Sequence, residues 1–177
     1  FSYVDQARYE QALSVCALGM QVLQAPQENR ITVFILLHQT SAQLAVESVA
    51  QAQASSEAAL RLACEDGVSD SYEVISAQMT RAVVHYEHNE LDAAQCLLLP
   101  ALEKVRSING WMRLYAEAFC TAAAIAGSRD GLEAAEQIIR AGERFASERG
   151  YQRLGQFMVV AHLRELCRAQ QWSKAML

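Results

Sequence analysis

Leu91-Asp92-Ala93-Ala94 returns 41 residues later as Leu132-Glu133-Ala134-Ala135. Both stretches open a run of strong helix formers, and their paired alanines let a neighbouring helix approach closely. Working outward, the helix stops recur at the same interval. Asp66-Gly67, Asn109-Gly110 and Arg149-Gly150 are spaced 43 and 40 residues apart, each placing a glycine where a helix ends in the left-handed conformation. A further step of 43 back from Gly67 reaches Gln24, beside the break Ala25-Pro26-Gln27. A forty-odd-residue period holding two helices specifies an all-α chain, an α-solenoid of antiparallel, tetratricopeptide-like helix pairs of right-handed course. About four pairs fit the length.

The spacing predicts helices near 3–24, 29–47, 50–66, 70–88, 91–108, 112–126, 131–149 and 152–170, with a stub after Ser173. Ile75, Met79, Ala82 and Tyr86 form one apolar stripe at helical period, and Ile138, Ile139, Gly142, Phe145 and Ala146 another. Tyr115 and Phe119 read as core. Trp111 and Trp172 read as covers over helix ends. Asp130, with Glu133 three residues on, reads as an N-cap. No glycine or proline separates the helices around Val46–Ala50, which leaves one long helix open as an alternative, and Pro100 interrupts the donor ladder of the 91–108 helix.

The composition agrees: 52% hydrophobic and 7% aromatic residues, with 2 prolines, suit alanine- and leucine-rich helices rather than strands or disorder. A net charge of -5 argues against a grip on nucleic-acid phosphates. Residues 1–128 hold 7 basic and 14 acidic side chains, and 129–177 hold 8 basic and 6 acidic; the second segment reads as a solvated face rather than a DNA stripe. The odd set Cys16, Cys64, Cys96, Cys120 and Cys167 has no C-x-x-C spacing and reads as buried thiols of a reducing cytoplasm. No membrane-spanning run and no signal peptide is evident. Both ends look cut in mid-pattern, so 1–177 reads as a single helical-repeat domain from a longer chain. The apolar end faces of such a fragment favour self-association.

Tyr86-Glu87-His88-Asn89-Glu90-Leu91-Asp92-Ala93-Ala94 resembles the repeat signature of the tetratricopeptide-like sensor region of MalT-like, LuxR-class ATP-dependent transcriptional regulators. The likeness continues through Ala101-Leu102-Glu103, Gly127-Ser128-Arg129-Asp130, Ala134-Ala135 and Arg168-Ala169-Gln170-Gln171-Trp172. It covers residues 72–177, and 1–70 only as generic helix pairs. The resemblance implies a cytoplasmic sensor or relay segment that binds a small inducer or a partner protein on a concave face. By this likeness the segment would bias an ATPase module elsewhere in the chain, with no cofactor or direct nucleic-acid contact of its own. Neither a phosphate-binding loop nor a basic recognition helix is present in these residues. The competing reading is a stand-alone scaffold that docks a peptide or helix of another protein.

Repeat register puts His38, Arg81, Thr121 and His162 at matching places in successive first helices, 43, 40 and 41 residues apart. Gln78 and His85 extend that column along one polar stripe. These six are the candidate ligand-binding residues, Arg81 as the charge-assisted donor to a carboxylate or phosphate; the plain alternative is the wet face every surface helix needs. His85 and His88, at i and i+3, lack a third ligand and read as solvated rather than metal-binding. No catalytic constellation emerges, so the chain reads as non-enzymatic.

Overall fold

The computed structural model describes residues 7–23, 29–65, 70–108 and 110–170, and every regular element among them is helical. The order is α1 (Tyr9–Val22), α2 (Asn29–Ala45), α3 (Val49–Cys64), α4 (Tyr72–Glu87), α5 (Leu91–Lys104) with a 3-10 turn at Val105–Ser107, α6 (Met112–Arg129), α7 (Leu132–Arg149) and α8 (Gln152–Arg168). Successive helices pack in adjacent pairs, the arrangement of an α-solenoid. Gly67, Asn109, the Ala25–Gln27 break, Trp172 and the stub after Ser173 lie outside the described residues.

The turns explain the spacing. At Gly150 (φ 68) α7 ends as read from the sequence, with Tyr151 N–H donating to Ala146 O (2.8 Å) and Gly150 N–H to Ser147 O (3.3 Å). The same paired bonds close α2, where Ser48 N–H meets Gln43 O (2.8 Å) and Glu47 N–H meets Leu44 O (3.1 Å). They also close α4, through Glu90 N–H to His85 O (2.8 Å) and Asn89 N–H to Tyr86 O (2.9 Å). Glu47 and Asn89 both take φ 59. Three helices thus end in one Schellman geometry, two of them without glycine. The long-helix alternative at 46–50 is thereby excluded: Glu47 breaks the chain in a conformation its side chain does not advertise. Asp130 is not an N-cap. It is the C-cap of α6, and Gly131 (φ 90) opens α7 without a side-chain bond.

The helices group into two compact units, Phe1–Ile108 and Asn109–Leu177. In the first, α1 packs on α2, α2 on α3, α3 on α4 and α4 on α5, while α2 also reaches past α3 to touch α4. In the second, α6 packs on α7, α7 on α8, and α6 also meets α8. First helices of successive pairs therefore touch within each unit, and side chains one repeat apart meet across them. Arg30 Nε bonds Glu73 Oε1 at 2.5 Å, 43 residues away. Arg168 bonds Ser128 Oγ, 40 residues away, and Ala124 O at 3.3 Å.

The expected stripes are the cores. Ile75, Met79 and Ala82 are fully buried in the first unit, where Val33, Leu36 and Leu37 of α2 cluster with Ala59 and Ala63 of α3 and with Val74 and Ala77 of α4. Tyr86 is only half-buried. In the second unit Tyr115, Phe119 and Phe145 are buried together and Tyr151 stacks against them. Ala94 and Ala135, equivalent in the two opening motifs, are both at 0% exposure, where a larger side chain would force the helices apart.

The cysteines correct one expectation. All five are free thiols, but only Cys16 is buried; Cys64 and Cys96 are exposed, and Cys120 and Cys167 lie between. Burial raises the pKa of Cys16, and desolvation pushes Cys120 up to about 11 against a smaller opposing pull from Arg164. Only the thiolate alkylates, so at pH 8 roughly one Cys120 in 1,000 is reactive at any instant. Iodoacetamide followed by peptide mass spectrometry should modify the exposed Cys64 and Cys96 faster than Cys16 or Cys120. Equal rates at Cys96 and Cys120 would contradict the burial.

Candidate functional site

The polar column expected on the first helices is present as positions, and three of its side chains, Arg81, His85 and His162, are engaged within the fold. Arg81 leaves α4 and donates through Nη1 to the Gln53 carbonyl (3.2 Å) and Ser56 Oγ (3.1 Å) of α3. It therefore ties α4 to α3. His85 Nδ1 lies 2.5 Å from Glu90 Oε2 across the α4–α5 turn. That contact, with charge from His88 and Arg81 adding to it, holds the Glu90 carboxyl below the usual carboxylate range. A lowered carboxyl pKa stabilises the turn fully above its ordinary value, and the contribution fades as pH falls through the lowered one. His38 on α2 and Gln78 on α4 are half-buried.

The signature read as a family motif is this same turn. His85 and Glu90 pair across it, Asn89 supplies the left-handed residue, and Leu91-Asp92-Ala93-Ala94 starts the next helix. Asn89 and Glu90 make the turn, and Leu91–Ala94 open α5.

In the second unit Thr121 is buried on α6. His162 Nε2 on α8 lies 3.4 Å from Glu136 Oε1 of α7, a carboxylate that also accepts from Arg140 Nη2 at 2.9 Å. His38, Gln78, Arg81 and His85 thus belong to one unit and Thr121 and His162 to the other. Among the described residues no three histidine, cysteine or acidic side chains gather as a metal would require, and no helix is long and apolar enough to cross a membrane.

A different place in the first unit has the shape of a site. A cavity of about 210 Å³ lies where the first turns of α2 and α4 meet the last turn of α3. Val33 and Leu62 supply apolar wall, and Asn29, Arg30, Ser71 and Glu73 supply polar groups. Glu73 is the deep charge, its side chain 8% exposed, whereas its partner Arg30 is 72% exposed. Ser71 Oγ accepts from Val74 N–H (3.2 Å) and so starts α4 firmly, while Asn29 Nδ2 donates to Glu65 Oε2 (3.2 Å) across to the end of α3. The arrangement offers a buried carboxylate paired with an exposed guanidinium, beside apolar wall from Val33 and Leu62, which suits a small polar ligand with an aliphatic part.

None of the six column residues lines this cavity. The one trace of it in the sequence is that Arg30 and Glu73 are separated by the repeat interval of 43, a spacing that does not by itself say that the two charges meet. Set beside protein-family models, curated proteins and solved structures, the chain matches none of them.

Proposed function

We propose that this chain is a binding and relay segment of a cytoplasmic, MalT-like, LuxR-class regulator, and that it takes a small polar ligand in the first unit. The observation that supports it most directly is the cavity between α2, α3 and α4, with its deep Glu73 and outer Arg30. Three helices contribute to it, so a ligand there bears on the packing of successive pairs. A ligand that favours one packing over another shifts the balance between them, which is what a relay requires. The likeness around Tyr86–Ala94 is the support for the regulator class, and the cavity is the support for a ligand in the first unit.

Thermal unfolding of the full chain, followed by circular dichroism, tests the reading with a protein-free filtrate of cell extract and then its fractions. A ligand at 100 times its dissociation constant stabilises by about 2.7 kcal/mol, so the active fraction should raise the melting temperature visibly. Glu73→Gln and Arg30→Ala should abolish that rise. Arg81→Ala should lower the starting stability by about 1 kcal/mol, through loss of the bonds to α3, yet keep the rise. No stabilising fraction, or a rise that survives Glu73→Gln, would sink the assignment.

A further inference from the structure

Among the described residues that line the cavity of the first unit, charge comes as a single pair. Glu73 has its side chain 8% exposed, and Arg30, 72% exposed, brings Nε to 2.5 Å from Glu73 Oε1. A ligand that enters this pair has to replace what each partner loses. An anion alone would draw Arg30 away and leave a buried carboxylate without its cation, which is strongly unfavourable. A cation alone would satisfy Glu73 but set its charge beside the guanidinium it displaces. A zwitterion avoids both defects. Its ammonium takes the guanidinium's place at Glu73, and its carboxylate meets Arg30, which is exposed enough to shift toward it with little loss of burial.

The helix ends around the cavity favour the same division. Asn29 and Arg30 open α2, an end of partial positive charge that suits a carboxylate. Leu62 and Ala63 lie in the last turn of α3, an end of partial negative charge that suits an ammonium. The other acids nearby, Glu65 and Asp70, are exposed and bonded to Asn29 (3.2 Å) and Lys104 (2.6 Å), so solvent screens them. Size and wall set the rest. The volume of about 210 Å³ is less than the roughly 300–1,000 Å³ that houses drug-sized ligands, and Val33, Leu62 and Ala63 give the cavity an aliphatic side.

Resting on the ligand reading of this cavity, we propose that the ligand is a free aliphatic α-amino acid. Its ammonium binds Glu73, its carboxylate binds Arg30, and its side chain lies on Val33 and Leu62. An α-amino acid carries both charged groups on one carbon, which suits insertion between two side chains already in contact.

Isothermal titration calorimetry on the full chain tests this with L-leucine and L-valine, and with two analogues of leucine. L-Leucinamide lacks the carboxylate, and 4-methylpentanoate lacks the ammonium. At least one of the amino acids should bind, and leucine should bind at least about tenfold more tightly than either analogue, the worth of one charge-assisted hydrogen bond. Each variant should erase one preference. Arg30→Ala should bind leucine no better than leucinamide, and Glu73→Gln should bind leucine no better than 4-methylpentanoate. A merely structural role for the pair would weaken all three compounds alike. The analogue series on the parent decides the matter even where a variant fails to fold.

Binding of neither leucine nor valine overturns the inference, as does equal affinity for leucine and either analogue. Failure of the site itself reads differently. If a fraction of cell extract still raises the melting temperature and Glu73→Gln abolishes the rise, the cavity remains the ligand site and its ligand is not an amino acid. With no such fraction, both readings fall.

Discussion

Replacing Phe145 by alanine is expected to destabilise residues 109–177 by about 3–5 kcal/mol. Phe145 is 2% exposed and sits at the centre of the aromatic group in that unit. Its ring meets Tyr115 edge-on at 5.1 Å, Phe119 at 5.9 Å and Tyr151 edge-on at 6.1 Å, while Arg149 lies over it at 5.6 Å. Truncation removes the buried area, the ring pairings and the anchor on which α6 and α7 meet, and a three-helix unit has few other contacts to take up the void. Such a loss is a large fraction of the stability of an ordinary domain. Urea unfolding should move to lower midpoint, with the near-ultraviolet signal of Tyr115 and Tyr151 lost first. Phe145→Leu, which fills most of the space, should cost less than half as much. A penalty below about 1 kcal/mol for the alanine variant would mean that the ring cluster does not hold the unit.

Gly127→Ala should destabilise the same unit by about 1–3 kcal/mol, although alanine is the better helix former. Gly127 lies in α6 against Glu165 and Arg168 of α8. A methyl group there enters the space held by the Arg168 guanidinium and the Glu165 carboxylate, and also crowds the Ala135 methyl at 3.1 Å. Arg168, 40% exposed, can swing into water; Glu165, 8% exposed, cannot follow. The substitution therefore strips a buried carboxylate of its partner, which costs about 3–5 kcal/mol in a fully buried pair. Solvent around Arg168 and roughly 1 kcal/mol of helix propensity reduce the net.

Gly155→Ala makes the contrast. Nothing lies within 4 Å of the added methyl on α8, so the propensity gain stands alone and the variant should be about 1 kcal/mol more stable. Opposite signs for one substitution in one unit, read from chemical unfolding, would locate the effect in the Glu165–Arg168 contact. In a Glu165→Gln background the Gly127→Ala penalty should shrink, since no charge is then left buried. Equal effects at positions 127 and 155 would show that this pair does not govern the approach of α8 to α6.

Several features were legible in the sequence because they follow from local chemistry. The repeat of Leu91–Ala94 at Leu132–Ala135 announced helix pairs, since acid-led, alanine-rich starts recur only when the same packing recurs. The stripe Ile75, Met79 and Ala82 was legible from period alone, and Gly150 from the conformation that only glycine adopts readily. The turn at Glu47 was not, because a glutamate in the left-handed region is chosen by the packing of α2 against α3 rather than by its own preference. Asp130 was misplaced for a related reason. Its side chain suits a cap, but α6 runs through Arg129 and leaves Gly131 to open α7.

The polar column shows where one-dimensional reasoning stops. Register placed His38, Arg81, Thr121 and His162 at equivalent positions, yet equivalence along the chain does not say which way a side chain turns. Tertiary structure turned Arg81 onto the α3 backbone, His85 onto Glu90 and His162 toward Glu136, and it grouped the helices into two units, Phe1–Ile108 and Asn109–Leu177. It also brought Arg30 and Glu73 together around a cavity that no motif announced. By itself, the sequence determined that the chain is helical, that helices come in pairs about forty residues apart, and which apolar faces those pairs bury. Helix propensity and amphipathic period are properties of neighbouring residues, and they suffice for that much. Which charges meet, which stay at the surface and where a cavity opens were decided only by the tertiary structure, because each depends on side chains one repeat or more apart converging at distances of a few ångströms.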